Sequence, residues 1–272
     1  MKGRPGDSSP GPRSIWSLPG GRRVECASSE IQREVTLERI KEFVDERQNQ
    51  WCLHCGGWLA ALNTNRDHVP TKSILREPLP ANLPIVEVCQ VCNSSFSGDE
   101  EYFVALLSAV QSGTTDPVGQ IHLRGRKIAE SQQRLRRLIE AGKTETLSLL
   151  GDAEIHWQFD ESRIQRVILK NARGHAFYEY GEPMLEKPDR IDFRPLIRLT
   201  AGQRAQFEDL GDTDGWPEVG SRMLTRVMTG QDIDGGWIVV QDGIYRYSVT
   251  QSGGIIVRSI IHEYLATEVV WN

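Results

Sequence analysis

The sequence has no apolar run long enough to cross a membrane. It is 272 residues long and 39% hydrophobic, whereas a transmembrane helix needs about 20 consecutive apolar residues. Its first residues include Lys2, Arg4 and a stretch rich in Gly, Pro and Ser, in place of the apolar segment of a secretory signal. The sequence therefore predicts a soluble globular protein in the cytoplasm, without a membrane partner.

Cysteine is scarce, but its placement is informative. Of the five cysteines, Cys26 stands alone, and the others form two Cys-x-x-Cys pairs, Cys52 with Cys55 and Cys89 with Cys92. In a reducing compartment such pairs favour a metal over disulfides. Two thiolate pairs complete the tetrahedral shell of zinc, whereas a thioredoxin-like site needs one pair in a β-α-β setting. The four cysteines therefore predict a structural zinc with no open position for catalysis.

An excess of positive charge is also lacking. The formal net charge is −5, which argues against a protein that coats nucleic acid without discrimination. Lys and Arg exceed Asp and Glu in residues 111–150, whereas the acids predominate in residues 151–272. A surface that binds phosphate is therefore expected to use residues 111–150.

Composition divides the chain into three parts. Residues 1–27 hold few apolar groups and are expected to be mostly flexible, although Trp16 could dock. Residues 28–150 are predicted to form a zinc-stabilised domain of short strands and turns with flanking helices. Residues 151–272 are predicted to form an α+β domain that ends in an antiparallel meander, with a role in targeting, partner binding or regulation. The predicted fold class is therefore α+β.

Apolar spacing places the helices of the first half. One helix is predicted over residues 30–48, and a second follows a capping box formed by Ser97 and Glu100. A third, basic helix is predicted over residues 121–142. The pattern of the second half predicts a strand over 154–159, a helix over 161–181, a strand over 190–200 and hairpin strands from 236 onward with a turn at Asp242-Gly243.

Polar groups lie between and beside the cysteine pairs. Asp67 and His68 are adjacent in the stretch RDHVP, Asn82 follows, and Asn93 comes directly after the last cysteine. Oxygens of Asp67 and Asn93 suit Mg²⁺ or Mn²⁺, while His68 stays free to take a proton. A lone Asp-His pair is more often a helix cap beside a core histidine. Near a distorted strand end before Pro70, however, both side chains could reach one phosphate.

The segments CLHC, RDHVP and ANLPIVEVCQVCN together resemble the HNH endonuclease superfamily, the ββα-metal or His-Me finger nucleases. The resemblance is to its zinc-bearing, endonuclease VII-like branch, in the HNN variant. It implies that Asp67 and Asn93 bind a catalytic Mg²⁺ or Mn²⁺, that His68 is the general base, and that Asn82 braces the histidine loop. It covers residues 50–100 and leaves the C-terminal half undescribed.

The resemblance implies a divalent-metal-dependent endonuclease that hydrolyses phosphodiester bonds of DNA. Two alternatives stay open. The chain could be a zinc-knuckle module that binds nucleic acid or protein without catalysis. It could also be a nuclease effector that is silent until a partner or ligand engages the acidic C-terminal domain, through which a homo-oligomer could also form. His68 separates catalysis from binding, because a binding module needs no base beside a carboxylate.

Five basic side chains are predicted to contact the nucleic acid. Two closely follow the histidine, and three lie in the predicted basic helix. A basic helix face is as often merely solvated, so both interpretations stay open for the helical residues. The five are Lys72, Arg76, Arg124, Arg126 and Lys127.

Overall fold

The computed structural model describes residues 13–18, 49–81, 83–147, 153–210, 216–251 and 253–272. These residues form an α+β fold with antiparallel sheets, as the sequence predicts. Within the described residues, no helix has the length and apolar character that a membrane span requires. In chain order the elements are β1 (Arg13–Leu18), β2 (Thr64–His68), β3 (Ile85–Cys89), α1 (Gln90–Ser112), α2 (Leu123–Ser131), α3 (Gln133–Ala141), β4 (Lys143–Leu147), β5 (Ala153–Asp160), α4 (Glu161–Tyr180), β6 (Arg190–Pro195), α5 (Ala201–Glu208), α6 (Arg222–Thr229), β7 (Ile233–Asp234), β8 (Trp237–Gln241), β9 (Tyr245–Gln251), β10 (Ile255–Ile261) and β11 (Leu265–Trp271).

The described residues fall into two compact units. The first contains residues 13–18, 105–147 and 153–165, and the second contains the remainder. The boundaries predicted after residues 27 and 150 both lie outside the described residues, as does the helix predicted over 30–48. The division into functional domains therefore stays a prediction.

The first unit contains a three-stranded antiparallel sheet in the order β1-β5-β4. Trp16 of β1 pairs with Trp157 of β5, is buried, and lies with its ring 4.5 Å from that of Phe159. Trp16 therefore docks, and residues 13–18 form a strand within the segment 1–27 that was predicted to be mostly flexible. Two effects stabilise this strand. Backbone pairing satisfies its polar groups, and burial of the Trp16 indole offsets the entropy lost on ordering.

Two of the predicted helices have different boundaries. The basic helix is two helices, α2 and α3, because Gln132 leaves the helical region at φ −109° and ψ 65°. Backbone hydrogen bonds continue on both sides of Gln132, so the break leaves few groups unpaired. The capping box at Ser97 and Glu100 is also wrong. Helix α1 already starts at Gln90, directly after β3, and the Ser97 hydroxyl donates to the Ser94 carbonyl within the helix.

The second unit contains the predicted C-terminal meander. Its six strands are antiparallel in the order β6-β11-β10-β9-β8-β7, and Gly243 takes a positive φ of 65° in the predicted turn. Helix α4 is joined to this sheet by buried polar contacts. His175 contacts the Tyr245 hydroxyl at 2.9 Å, and Glu179 accepts from the Tyr247 hydroxyl at 2.7 Å and from Arg226 at 2.9 Å.

Candidate metal centre and active site

The first cysteine pair lies in a tight backbone loop. The Cys52 N–H donates to the Gly57 carbonyl, and the Gly56 N–H donates to the Cys52 carbonyl, each at 2.8 Å. Gly56 takes a φ of 69°, which a side chain would disfavour. A bridge between Trp51 and Trp58 closes the loop. This geometry turns the chain back within a few residues and points both thiols to one side.

The second pair joins a strand to a helix. Cys89 ends β3, and Cys92 lies in the first turn of α1. The four cysteine sulfurs lie within 4.8 Å of one another, close enough to bind a metal ion. Burial raises the pKa of the Cys52 thiol, but backbone N–H groups, first that of Cys89, outweigh burial and lower it. Thiolates with such donors are the usual ligands of zinc.

Strands β2 and β3 form a two-stranded sheet that leads directly into α1. The pairing is regular from Thr64 opposite Cys89 to His68 opposite Ile85. Side chains of a regular strand alternate between faces, so Asp67 and His68 point to opposite faces. Burial agrees, because Asp67 is only 6% exposed while His68 is half-buried. The distorted strand end that would let both reach one phosphate is not present.

His68 lies on the more open face of this sheet. Burial lowers the pKa of the imidazole, the nearby Lys72 lowers it further, and Asp67 opposes the change. Arg66 is exposed and, two residues before His68 on the strand, shares its face. The lowered pKa favours the neutral imidazole, and the Lys72 ammonium is close enough to contribute to that shift.

Asp67 lies on the buried face, in an ionic cluster. The Lys170 ammonium from α4 is 2.8 Å from Asp67 Oδ1 and 2.5 Å from Glu100 Oε1. His54 Nε2 is 3.9 Å from Asp67 Oδ2. Burial raises the pKa of the Asp67 carboxyl, whereas His54 and Lys170 lower it, and the net direction is down. We call His54, Asp67, Glu100 and Lys170 the buried ionic cluster.

The residues predicted to bind a catalytic cation do not form a cation site in this arrangement. Asp67 Oδ1 already accepts from the Lys170 ammonium. The Asn93 amide donates to Asn65 Oδ1 at 2.9 Å. Asn65 shares the strand face of Asp67, so Asn93 lies over the face of the sheet that carries Asp67. Asn82, the predicted bracing residue, lies outside the described residues.

The loop that follows His68 is held by residues far along the chain. The Thr71 N–H donates to Asn171 of α4 at 3.1 Å, and the Arg76 N–H donates to the Gln241 side chain at 2.9 Å. His262 Nε2 is 2.8 Å from the Ile74 carbonyl oxygen. Residues of α4 and the C-terminal sheet thus position the loop that carries Lys72.

Helix α4 also packs closely against the strand end that carries His68. A Cβ atom added at Gly174 would lie 2.7 Å and 2.9 Å from the two methyl groups of Val69. In an open helix, Gly→Ala stabilises by about 1 kcal/mol. Gly174→Ala should instead destabilise by about 1–2 kcal/mol, because overpacking a buried contact costs more than the propensity gain.

Gly202→Ala is the matched control, since a Cβ at this α5 position meets nothing within 4 Å. Urea unfolding of the two variants measures both effects. If Gly174→Ala is stabilised as much as Gly202→Ala, the close packing of α4 on Val69 is contradicted.

His262 gives the loop contact a pH dependence. The pKa of its imidazole is lowered to about 4, mainly by burial. The hydrogen bond to the Ile74 carbonyl raises the pKa, and the positive charge of Arg76 lowers it. The unfolded imidazole takes up a proton near pH 6.5, so stability is full above that pH and falls as the pH drops toward 4. His262→Asn, which tolerates the local φ of 55°, should remove about 2 kcal/mol of this loss at pH 5.

The measurement is urea unfolding of wild type and His262→Asn at pH 7 and pH 5, with the metal content determined at each pH. Equal losses of stability on acidification in both proteins would contradict the assignment to His262.

The predicted DNA-contacting side chains are all at the surface. Lys72 and Arg76 lie in the loop after His68, in the second unit, whereas the other three lie on α2 in the first. Arg126 pairs with Glu130 at 2.9 Å, which reduces its availability for phosphate. The exposed residues are Lys72, Arg76, Arg124, Arg126 and Lys127.

Sequence reasoning missed three members of the buried ionic cluster. It gave no role to His54, whose side chain is only 3% exposed. It assigned Glu100 to a cap, and it did not consider Lys170. A signal for Lys170 was present, since a lysine in the apolar run of α4 needs a buried acidic partner. Which acid it would meet is decided by contacts about a hundred residues apart in the chain.

Comparison with known proteins yields no relative: no family model matches the chain, and neither a curated protein nor a solved structure matches it. The chemistry of the site must therefore be inferred from its own geometry.

Proposed function

We propose that the protein is a zinc-stabilised endonuclease of the HNH type that hydrolyses phosphodiester bonds of DNA, with His68 as the general base. The observation that carries the proposal is the position of His68. It ends the first strand of a strand-strand-helix unit, β2-β3-α1, whose strand and helix also supply Cys89 and Cys92. This is the element order that the HNH resemblance implies.

The chemistry follows from the residues around His68. A neutral imidazole can take a proton from water as the water attacks phosphorus, and the lowered pKa of His68 keeps it neutral near pH 7. Arg66 and Lys72 are placed to bind phosphate oxygens and to offset the charge that develops on them. The bond to the 3′ oxygen breaks, and that oxygen takes a proton from solvent, which leaves a 5′-phosphate and a 3′-hydroxyl.

The four cysteines support zinc as the structural metal. Their donor set is closed, with four sulfurs and no position for water, so zinc would hold the β2-β3-α1 unit rather than react. Free thiols of this kind stay reduced in a reducing compartment, and we place the protein in the cytoplasm. The predicted Mg²⁺ or Mn²⁺ has no part in this reaction, because the Lys170 ammonium already pairs with the Asp67 carboxylate.

One observation favours the silent-effector alternative. The buried ionic cluster keeps Asp67 from substrate and metal alike, which fits a nuclease that needs a change at the site before it acts. The pure binding module explains His68 least well, since binding needs no neutral imidazole beside a lysine.

The test offers the full-length protein several substrates. Zinc-loaded protein is incubated with plasmid, linear duplex, branched DNA, single-stranded DNA and RNA, with and without Mn²⁺, and binding is measured in parallel. The proposal predicts cleavage of DNA with 5′-phosphate ends. Binding to DNA without cleavage under every condition would contradict it and favour the binding module.

A further inference from the structure

Arg173 of α4 is a half-buried cation that contacts only neutral groups. Its guanidinium donates to the His54 carbonyl at 3.3 Å, and to the carbonyls of Leu185 and Glu186 at 3.0 and 3.1 Å. Within the described part of the chain it pairs with no carboxylate. Burial lowers the pKa of Arg173. A cation that loses water in this way is costly unless negative charge lies near it.

The Nε atom of Arg173 is a second and independent sign that a partner is missing. This nitrogen is buried and has no hydrogen-bond partner among the described residues. Buried donors without an acceptor are rare, and each needs an explanation such as a bound ion. The two preceding cations of α4 each have an acid. Lys170 lies 2.8 Å from Asp67. Arg166 lies 2.7 Å from Asp99.

The cysteine quartet supplies the missing negative charge. Four thiolates carry more negative charge than one Zn²⁺ offsets, so a closed zinc centre of this kind is an anion. The charge of Cys92 raises the pKa of Arg173, against the effect of burial. The bond to the His54 carbonyl places the guanidinium on the loop between Cys52 and Cys55. A cation without an acid and a surplus of thiolate charge therefore lie close together.

We propose that Arg173 is the counterion of the zinc centre: its guanidinium offsets the surplus charge of the zinc-bound thiolates and holds the first Cys-x-x-Cys loop against α4. The inference rests on the structural zinc of the proposed function and does not depend on the nuclease chemistry. Arg173 is a positioning residue in this role, because it acts through the cysteines. Zinc retention then depends on α4 as well as on the four ligands, since residues around the ligand shell tune metal affinity.

The test measures how fast full-length, zinc-loaded protein loses zinc to an excess of a chromogenic chelator. Arg173→Gln removes the charge and keeps a side chain that donates hydrogen bonds. Arg173→Lys keeps the charge and loses the planar fork. We expect Arg173→Gln to release zinc about tenfold faster than wild type, the usual effect of losing a group that supports the ligands. Arg173→Lys should release zinc at a rate close to that of wild type.

Arg166→Gln is the matched control, because Arg166 lies on the same helix and pairs with Asp99. It should release zinc at the wild-type rate. If hydrogen bonding alone mattered, Arg173→Lys and Arg173→Gln would lose zinc equally fast, and that result would overturn the proposal. Equal rates in wild type and Arg173→Gln would overturn it as well.

A second pair of variants covers the case in which Arg173→Gln does not fold. The Leu185 side chain is 44% exposed, and its carbonyl already accepts from Arg173. Leu185→Glu adds a carboxylate that competes for the guanidinium, and Leu185→Gln has the same shape without the charge. Leu185→Glu should release zinc severalfold faster than Leu185→Gln. Equal rates would show that the zinc centre does not depend on the charge of Arg173.

Zinc release is measured without nucleic acid, so this proposal and the nuclease fail separately. The expected order of release rates without cleavage of any DNA would contradict the nuclease and leave the role of Arg173 standing. Cleavage by wild type together with equal release rates would leave the nuclease standing and remove the role of Arg173. A wild type that binds no zinc would contradict both the zinc centre and its counterion.

Discussion

Removal of the metal from the four cysteines should unfold the part of the chain that carries His68. The core around the cysteines is small, and two of its buried members, Cys52 and Cys89, belong to the four cysteines that lie close enough to bind a metal ion. Structural zinc contributes about 10–16 kcal/mol in small domains, as much as the whole stability of a typical protein, about 5–15 kcal/mol. We therefore expect Cys52→Ser to lose the metal and its cooperative unfolding transition.

Cys26→Ser is the matched control, since Cys26 belongs to neither Cys-x-x-Cys pair of the sequence. Metal content by elemental analysis and urea unfolding by circular dichroism measure both variants. Wild type and Cys26→Ser should hold one zinc per chain. Retention of zinc and of full stability by Cys52→Ser would show that the quartet is not a structural metal site.

Replacement of His68 by alanine should abolish most of the nuclease activity. A positioned general base contributes about 10²–10⁴ to a rate, and no other described histidine lies on the open face of the β2-β3 sheet. His68 is half-buried and on a strand end, so the substitution should leave zinc content and stability almost unchanged. We expect a loss of at least about a hundredfold in single-turnover cleavage of a labelled duplex.

His156→Ala controls for the loss of a strand histidine elsewhere, since His156 lies on β5 and contacts Thr146. It should cleave at the wild-type rate. Wild-type cleavage by His68→Ala would remove His68 as the base, and 3′-phosphate products would contradict attack by water with loss of the 3′ oxygen.

Local pattern predicted the parts of the fold that depend on neighbours in sequence. The alternation of apolar residues and the turn residues predicted the C-terminal meander, and the sequence pattern predicted α4 with an error of one residue at its C-terminal end. The residues at which other helices start or break were harder to predict. Helix α1 begins at Gln90 because the second cysteine pair must bridge strand and helix, a constraint that outweighs the capping pattern at Ser97.

The candidate site shows the same limit. Spacing alone predicted the cysteine quartet, because each pair is local and its geometry is intrinsic. The surroundings of Asp67 were not predictable, since Lys170 and Glu100 reach it only through the packing of α4. The resemblance predicted a metal at Asp67, whereas the structure places an ammonium there. Tertiary contacts between distant residues thus decide what a local motif can bind.

The most direct measurement is the conversion of supercoiled plasmid to nicked or linear DNA by zinc-loaded protein in Mn²⁺, with His68→Ala purified in parallel at equal zinc content. The account predicts conversion by wild type and almost none by His68→Ala. Equal conversion by both proteins, or no conversion by wild type, would contradict the assignment of a nuclease built around His68.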